Sequence, residues 1–337
     1  MWNKGTTFVR HLLSEQETFT TETGHFTALL TQISLAAKII ARELNQAGLA
    51  GRLGYTGEVN VQGEKVKKMD IWSNEVFVDV LSESRMACTL VSEEMEDPLH
   101  INEACDGGKY VVCFDPIDGS SNIDINGILG TIFSVFLRSG RKGNHMESDA
   151  LQKGSKQIAA GYVMYGPSTI LVYTTGQSVN AFTLDINTRV FMLSHPNIRI
   201  PKRGNTYSAN EGHYHRWHPE TQKVVDYLRT PHKESGRPYS LRYAGSLVAD
   251  FHRTLFEGGI FLYPADADDP KKPTGKLRLL YEASPMAFLT ETAGGRASTG
   301  TERILDIQPT TYHQRVPLII GSSEDVALAE DFYAHRR

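Results

Sequence analysis

The chain has 337 residues, 40% hydrophobic and 22% charged, with 35 Lys and Arg against 39 Asp and Glu for a formal net charge of −4. This ordinary globular balance suits about two domains, and a mildly acidic chain has no general pull toward nucleic acid or anionic membrane. Cys88, Cys105 and Cys113 are too few and too irregularly spaced for a disulfide framework and read as ordinary thiols. Val111–Phe114 and Pro317–Ile320 are far shorter than a membrane span, and Met1–Arg10 lacks a secretory core, so a soluble intracellular protein is expected.

Ala28–Leu49 is predicted helical, because Leu29, Ile33, Ala36, Ala37, Ile40, Leu44 and Ala47 recur at three- and four-residue steps. Thr27 is its expected N-cap and Gly48 its stop. Gly48–Lys68 is rich in Gly and polar residues and reads as a mobile loop or a weak edge hairpin, running into a helix from Met69-Asp70 through Val80. Tyr110–Phe114, Thr131–Leu137, Gln157–Tyr165, Thr169–Thr174, Val179–Leu184 and Arg189–Leu193 read as strands. Ser139–Lys156 is charged and lacks an apolar period, so it is expected to be a surface loop. Pro196, Pro201 and Gly204 mark a candidate domain boundary. Beyond it, Gln222–Leu228, Ser246–Phe256 and Ser284–Ala293 read as helices, and Gly259–Tyr263 and Val316–Ile320 as strands. Such mixing indicates layered α/β or α+β architecture.

The chemistry-bearing run is Phe114-Asp115-Pro116-Ile117-Asp118-Gly119-Ser120-Ser121-Asn122. Two carboxylates this close repel unless protonated or bridged by a cation, and hard oxygen ligands favour Mg²⁺ or Mn²⁺. Gly119-Ser120-Ser121 can present successive backbone N–H groups to a phosphate. The competing reading is a type I turn with Asx caps. Asp70, Glu93-Glu94 and Glu282 each follow a mobile loop or an apolar run, which makes a shared metal cluster credible, although an adjacent acid pair is often solvated surface.

The run Lys109–Asp124 resembles class I fructose-1,6-bisphosphatase, within the inositol monophosphatase-like superfamily that shares its Asp-Pro-Ile-Asp-Gly-Ser core. The likeness continues through Val66–Asp70, Ser92–Glu94, Asn210-Glu211-Gly212, Arg242-Tyr243, Gly258–Ala265 and Gly275–Glu282. It implies an αβαβα sandwich with an N-terminal allosteric domain over 1–197 and a C-terminal sugar-phosphate domain over 198–337. The implied reaction is hydrolysis of the 1-phosphate of fructose 1,6-bisphosphate, a step of gluconeogenesis.

By position, Glu93, Asp115, Asp118 and Glu282 match the family's metal ligands, helped by the Ile117 carbonyl. Glu64 matches an acidic mobile-loop residue, and the resemblance implies two to three Mg²⁺ or Mn²⁺ ions per subunit. Asp70 and Glu94 match the pair that orients and deprotonates the attacking water. Lys276 matches a sugar-phosphate contact, Asn210, Tyr243 and Tyr263 the wall of the 6-phosphate pocket, and Arg242 an arginine donated to the neighbouring subunit. Where the family has Tyr after Asn-Glu-Gly, this chain has His213 followed by Tyr214, and either can supply the phosphate contact. His213, His215 and His218 lack the Cys partners or acidic ligand motif that zinc would suggest.

Thr23-Gly24-His25-Phe26-Thr27 reads locally as a helix start, by N-capping or by holding an anion. The resemblance makes it, with Lys109 and Tyr110, a site for the phosphate of the inhibitor AMP; His25 replaces the usual Glu, and the expected arginine is displaced to Arg138. A homotetramer is implied. Other readings are a sedoheptulose-1,7-bisphosphatase, an inositol-phosphate phosphatase, or a non-catalytic sugar-phosphate or AMP sensor. A cytoplasmic location is expected; His335-Arg336-Arg337 is not a peroxisome-type address, and an organelle of that kind stays open if residues follow.

Overall fold

The first long strands bury both faces, which requires cover on both sides. A computed structural model describes residues 5–16, 24–59, 65–101, 109–138, 149–267 and 274–335. Thr23, Glu64 and Cys105 therefore lie outside the described residues.

A hairpin of β1 (Tyr55–Val59) and β2 (Lys65–Lys67) precedes an eight-stranded sheet. That sheet contains β3 (Ala87–Ser92), β4 (Leu99–His100), β5 (Tyr110–Asp118), β6 (Leu129–Leu137), β7 (Gln157–Tyr165), β8 (Thr169–Thr174), β9 (Val179–Asp185) and β10 (Val190–His195). Its order is β10-β9-β8-β7-β6-β5-β3-β4, antiparallel except where β3 runs parallel to β5. A five-stranded sheet contains β11 (Thr206–Ser208), β12 (Ser240–Leu241), β13 (Ile260–Tyr263), β15 (Arg296–Ser298) and β17 (Leu318–Gly321). Between them in sequence, β14 (Leu277–Arg278) and β16 (Arg315–Val316) pair as a short ribbon. The helices are α1 (Phe8–Gln16), α2 (Gly24–Leu44), α3 (Lys68–Ser84), α4 (Pro219–Arg229), α5 (Leu247–Glu257), α6 (Ser284–Thr292) and α7 (Ser323–Tyr333).

Period-two alternation sorts side chains between layers. Phe133 and Val163 face Leu29, Ile33 and Ile40 of α2, whereas their neighbours Ile132 and Tyr162 face Val248 and Phe251 of α5 and Met286 of α6. In the second sheet Phe261 and Ile320 face that same middle layer, while Ile260, Leu262 and Ile319 face Val225 of α4 and Val326 of α7. Five layers result, helix–sheet–helix–sheet–helix, as the resemblance implies. Truncating a fully buried Phe such as Phe133 would cost about 3–5 kcal/mol.

Several boundaries differ from the sequence reading. Helix α2 begins at Gly24, so Thr27 lies inside its first turn, 8% exposed, with its carbonyl accepting the Thr31 hydroxyl at 2.7 Å; it is not the N-cap. The helix ends at Leu44, short of Gly48, where Asn45 Nδ2 donates to the Ala41 carbonyl at 2.9 Å and satisfies a terminal acceptor. By length and composition α2 could cross a membrane, but its apolar face packs into the core. Strand β5 continues through Pro116 to Asp118, with a register break between Asp115 and Asp118, so the turn starts only at Gly119. The expected loop Ser139–Lys156 is corrected at its far end: Ala150 is fully buried with Val91, Cys113 and Tyr281, and residues 139–148 lie outside the described residues. Cys88 is disulfide-bonded and Cys113 free and buried, which corrects the expectation of three ordinary thiols. Sequence spacing says nothing of the Cα approach a disulfide needs.

Candidate active site

The break in β5 turns Asp115 and Asp118 into one cleft. Asp115 accepts the Ile117 N–H at 3.0 Å, and the chain then leaves through Gly119 at φ +78°. A Cβ on Gly119 would lie 2.6 Å from Ser246 Cβ, so glycine is required both by conformation and by space. Parallel pairing of β3 with β5 brings Glu93 alongside, its N–H donating to the Phe114 carbonyl at 3.2 Å. Glu282 arrives from a π-helical turn, Leu279–Ala283.

Asp70, Glu93, Glu94, Asp115, Asp118 and Glu282 all line one cavity of about 370 Å³. Ile117, Gly119, Ser120 and Ser121 line it too, as do Tyr243, Tyr263 and Lys276. One carboxylate oxygen from each of Asp115, Asp118 and Glu282 lies within 4.8 Å of the others, and all three residues are buried. Burial, then Glu93, Asp118 and Glu282, pushes Asp115 well above the carboxylate range. Burial likewise pushes Glu282 up to about 8, against the opposing pull of Arg278. Asp118 is pushed up to about 6 by burial, restrained by donors from Ser246, Val248 and Leu247. A buried all-oxygen set that resists simultaneous ionisation fits a hard divalent cation.

Arg278 has no role legible in the sequence alone. It is 3% exposed, and its Nη2 lies 2.6 Å from Glu93 Oε1 while Nη1 lies 3.7 Å from Glu282 Oε2. Its backbone N–H also donates to Glu282 Oε2 at 2.6 Å. The available signal was a cation inside the apolar run Leu277–Tyr281, where burial demands an acidic partner. Ser246 is a second omission: its hydroxyl donates to Asp118 Oδ2 at 2.6 Å, beside N–H donors from Leu247 at 3.2 Å and Val248 at 2.8 Å. The N-terminus of α5 therefore grips Asp118 from the opposite layer.

The β1–β2 hairpin closes one side. Lys67 Nζ pairs with Asp124 Oδ2 at 2.9 Å, Gly54 N–H donates to Asp124 Oδ1 at 2.9 Å, and Tyr55 and Lys67 line the cavity. Asp70, in the first turn of α3, accepts the Lys67 N–H at 3.0 Å, which ties this carboxylate to the hairpin.

A second cavity of about 160 Å³ is lined by Asn210, His213, Arg216 and Trp217 and shares Tyr263 and Lys276 with the first. Tyr214 is engaged elsewhere, its hydroxyl 2.8 Å from both oxygens of Asp226. Arg242 is exposed and donates to the Leu241 carbonyl at 2.8 Å. Away from both cavities, Gly24, His25, Phe26 and Thr27 form the first turn of α2. The Phe26 ring lies 5.8 Å from that of Tyr110; Arg138 donates through its backbone to Lys109 at 2.9 Å and pairs with Asp149 at 3.2 Å.

Five alternating layers, with clustered buried carboxylates beside a second pocket that shares Lys276, are the architecture of the sugar-phosphatase fold. The family model of the fructose-1-6-bisphosphatase N-terminal domain matches residues 6–196, and that of the C-terminal domain residues 200–334. The chain is 53% identical over 328 residues to a class 1 fructose-1,6-bisphosphatase of Maridesulfovibrio salexigens, covering 97% of each protein. It is 53% identical over 333 residues to that of Trichodesmium erythraeum, covering 98% of this chain and 92% of that protein. The Leishmania major fructose-1,6-bisphosphatase in holo form superposes with TM-score 0.90 at 41% identity, over 97% of this chain and 99% of the other. The same enzyme in its T-state gives 0.86 at 40% identity, over 97% and 98%. The chain belongs to the class 1 fructose-1,6-bisphosphatase family.

Proposed function

We propose that the protein hydrolyses the 1-phosphate of fructose 1,6-bisphosphate to give fructose 6-phosphate and phosphate, as its relatives' name describes. One observation carries this reading: an acidic cavity and a second, lysine-bearing cavity adjoin through Tyr263 and Lys276, a layout for a sugar with a phosphate at each end.

Glu93, Asp115, Asp118 and Glu282, with the Ile117 carbonyl and Glu64, are the residues to hold two to three Mg²⁺ or Mn²⁺ ions. Bound there, such ions supply Lewis acidity and lower the pKa of a water they hold. Gly119, Ser120 and Ser121 orient the 1-phosphate through backbone N–H groups. Asp70 and Glu94 position the attacking water and take its proton, and the hydrogen bond from Lys67 N–H fixes Asp70 for that task. Lys276, Asn210, Tyr243 and Tyr263 hold the distal phosphate, and Arg242 completes the site of a neighbouring subunit in a homotetramer.

AMP inhibition is assigned to Thr23–Thr27 with Lys109, Tyr110 and Arg138; its support is the side-by-side packing of Phe26 and Tyr110. In this reading AMP acts by releasing the hairpin that Asp124 holds at the cleft. The domains meet near residues 197–198, and the location is cytoplasmic, in keeping with the bacterial relatives. Phosphate release from fructose 1,6-bisphosphate with and without Mg²⁺, repeated with Asp118→Ala, tests the activity. Release should require Mg²⁺ and collapse in the variant; equal or faster release from sedoheptulose 1,7-bisphosphate or an inositol phosphate would overturn the substrate. Unchanged AMP sensitivity in Thr27→Ala combined with Lys109→Ala would remove the inhibitor site.

A further inference from the structure

We infer that Asp266 is a positioning residue that holds Arg216 back from the distal phosphate, limiting the grip on substrate so that fructose 6-phosphate can leave; this rests on the reading of the second cavity as the distal-phosphate subsite. The observation behind it is an acid in the wall of an anion pocket. Asp266, on the segment that follows β13, lines the cavity with Lys276 and Arg216, and its side chain is only 16% exposed. A carboxylate so placed repels a phosphate, and a wall built only for affinity would not contain one.

Asp266 is turned to Arg216. Its Oδ1 accepts Arg216 Nε at 3.2 Å and its Oδ2 lies 2.5 Å from Arg216 Nη2, so both oxygens meet one edge of the guanidinium. Arginine grips carboxylate and phosphate through the same two-pronged geometry; Asp266 therefore occupies the edge that a phosphate would use. The main chain fixes this arrangement. Trp217 and Asp266 form an antiparallel bridge, the Ala267 N–H donates to the Arg216 carbonyl at 2.8 Å, and Trp217 is buried in one cluster with Val225 and Leu262. A change in either side chain thus leaves the other at the cavity.

Hydrolysis at the 1-position does not alter the distal phosphate, so a grip there is shared by substrate, transition state and product. Strengthening such uniform binding lowers KM without raising kcat, and it also retains the product. A guanidinium fork added beside Lys276 would do this. By satisfying the fork within the protein, Asp266 makes Arg216 part of a neutral wall instead.

The test is calorimetry of fructose 6-phosphate binding, with KM and kcat for fructose 1,6-bisphosphate at saturating Mg²⁺, in wild type, Asp266→Asn, Arg216→Gln and the double variant. Asp266→Asn keeps the shape and removes the charge that holds Arg216. Its Kd for fructose 6-phosphate should fall about tenfold, the scale of one added charge-assisted hydrogen bond, and KM should fall with no rise in kcat. Arg216→Gln leaves the carboxylate beside the phosphate without its guanidinium, so Kd should rise several-fold. The double variant, lacking both charges, should bind between the two single variants. A merely structural pair would shift both single variants toward weaker binding, so the opposite signs are diagnostic. Unchanged or weaker binding in Asp266→Asn, with wild type active, would overturn the role of Asp266 and leave the enzymatic assignment intact. If no form binds fructose 6-phosphate or releases phosphate from the bisphosphate, the subsite reading itself fails, and the inference with it.

Discussion

Ser246 joins the eight-stranded sheet to the middle helical layer at the carboxylate cluster: its Oγ donates to Asp118 Oδ2 at 2.6 Å while accepting the Ala249 N–H at 3.2 Å, so one hydroxyl caps α5 and orients a carboxylate of β5. Ser246→Ala removes both bonds but leaves the Leu247 and Val248 donors on Asp118. Urea denaturation of the variant should show a loss of about 1 kcal/mol, typical of a deleted N-cap. The Mg²⁺ concentration for half-maximal activity should rise several-fold, and Ser246→Thr should restore much of it.

Binding a divalent ion should expel protons. Glu282 is raised to about 8 and Asp118 to about 6, so the metal-free protein carries protons on the cluster near pH 7. Relative to ordinary carboxyls the folded state binds more protons between about pH 4 and 8, so these groups' contribution to folding falls as pH rises through that window. Cation binding reverses the bias. Mn²⁺ titrations in buffers of different ionisation enthalpy should show net proton release near pH 7 and little above pH 9; zero release at both would contradict a protonated cluster.

Arg278 spans Glu93 and Glu282 from a buried position. Arg278→Gln leaves these buried acids without their cation, and breaking such a contact costs about 3–5 kcal/mol. The loss in the metal-free variant should be largest near pH 9 and smaller near pH 6, where the Glu282 carboxyl, raised to about 8, takes a proton instead. Thermal melts at the two pH values, with and without Mn²⁺, measure this.

Asp124 anchors the hairpin through Lys67 Nζ and the Gly54 N–H, and those same two donors hold its carboxyl below the usual range. The anchor is therefore present above the ordinary Asp range and lost in acid. Asp124→Asn should speed amide exchange over residues 54–59 and 65–67 about threefold or more, the scale of a partly exposed ion pair worth roughly 1 kcal/mol. Unchanged exchange would show that the hairpin is held by other contacts.

How legible the molecule was follows from the range of the interactions. The strand runs at Gln157–Tyr165 and Thr169–Thr174 were readable to the residue, since β-propensity and bracketing turns are local. The ends of α2 were not. Its apolar period marks the buried face, but Gly24–Phe26 join it because Phe26 packs with Tyr110, and Asn45 closes it early on the Ala41 carbonyl. The Asp-Pro-Ile-Asp-Gly run reads locally as a turn or a site, and its strand conformation depends on pairing with β6 across a register break.

By itself the sequence determined which residues are rich in carboxylate, amide and cationic chemistry, and through family order it determined the fold, because side-chain type and period are written residue by residue. It left open whether Asp115, Asp118 and Glu282 converge, whether His213 or Tyr214 faces a cavity, and that Arg278 and Ser246 reach the acids at all. Only the tertiary structure decided these: residues up to 167 positions apart, Asp115 to Glu282, meet within 4.8 Å. Distance in space, burial and competition for hydrogen-bond partners arise only once the layers pack, and they set each carboxyl's charge.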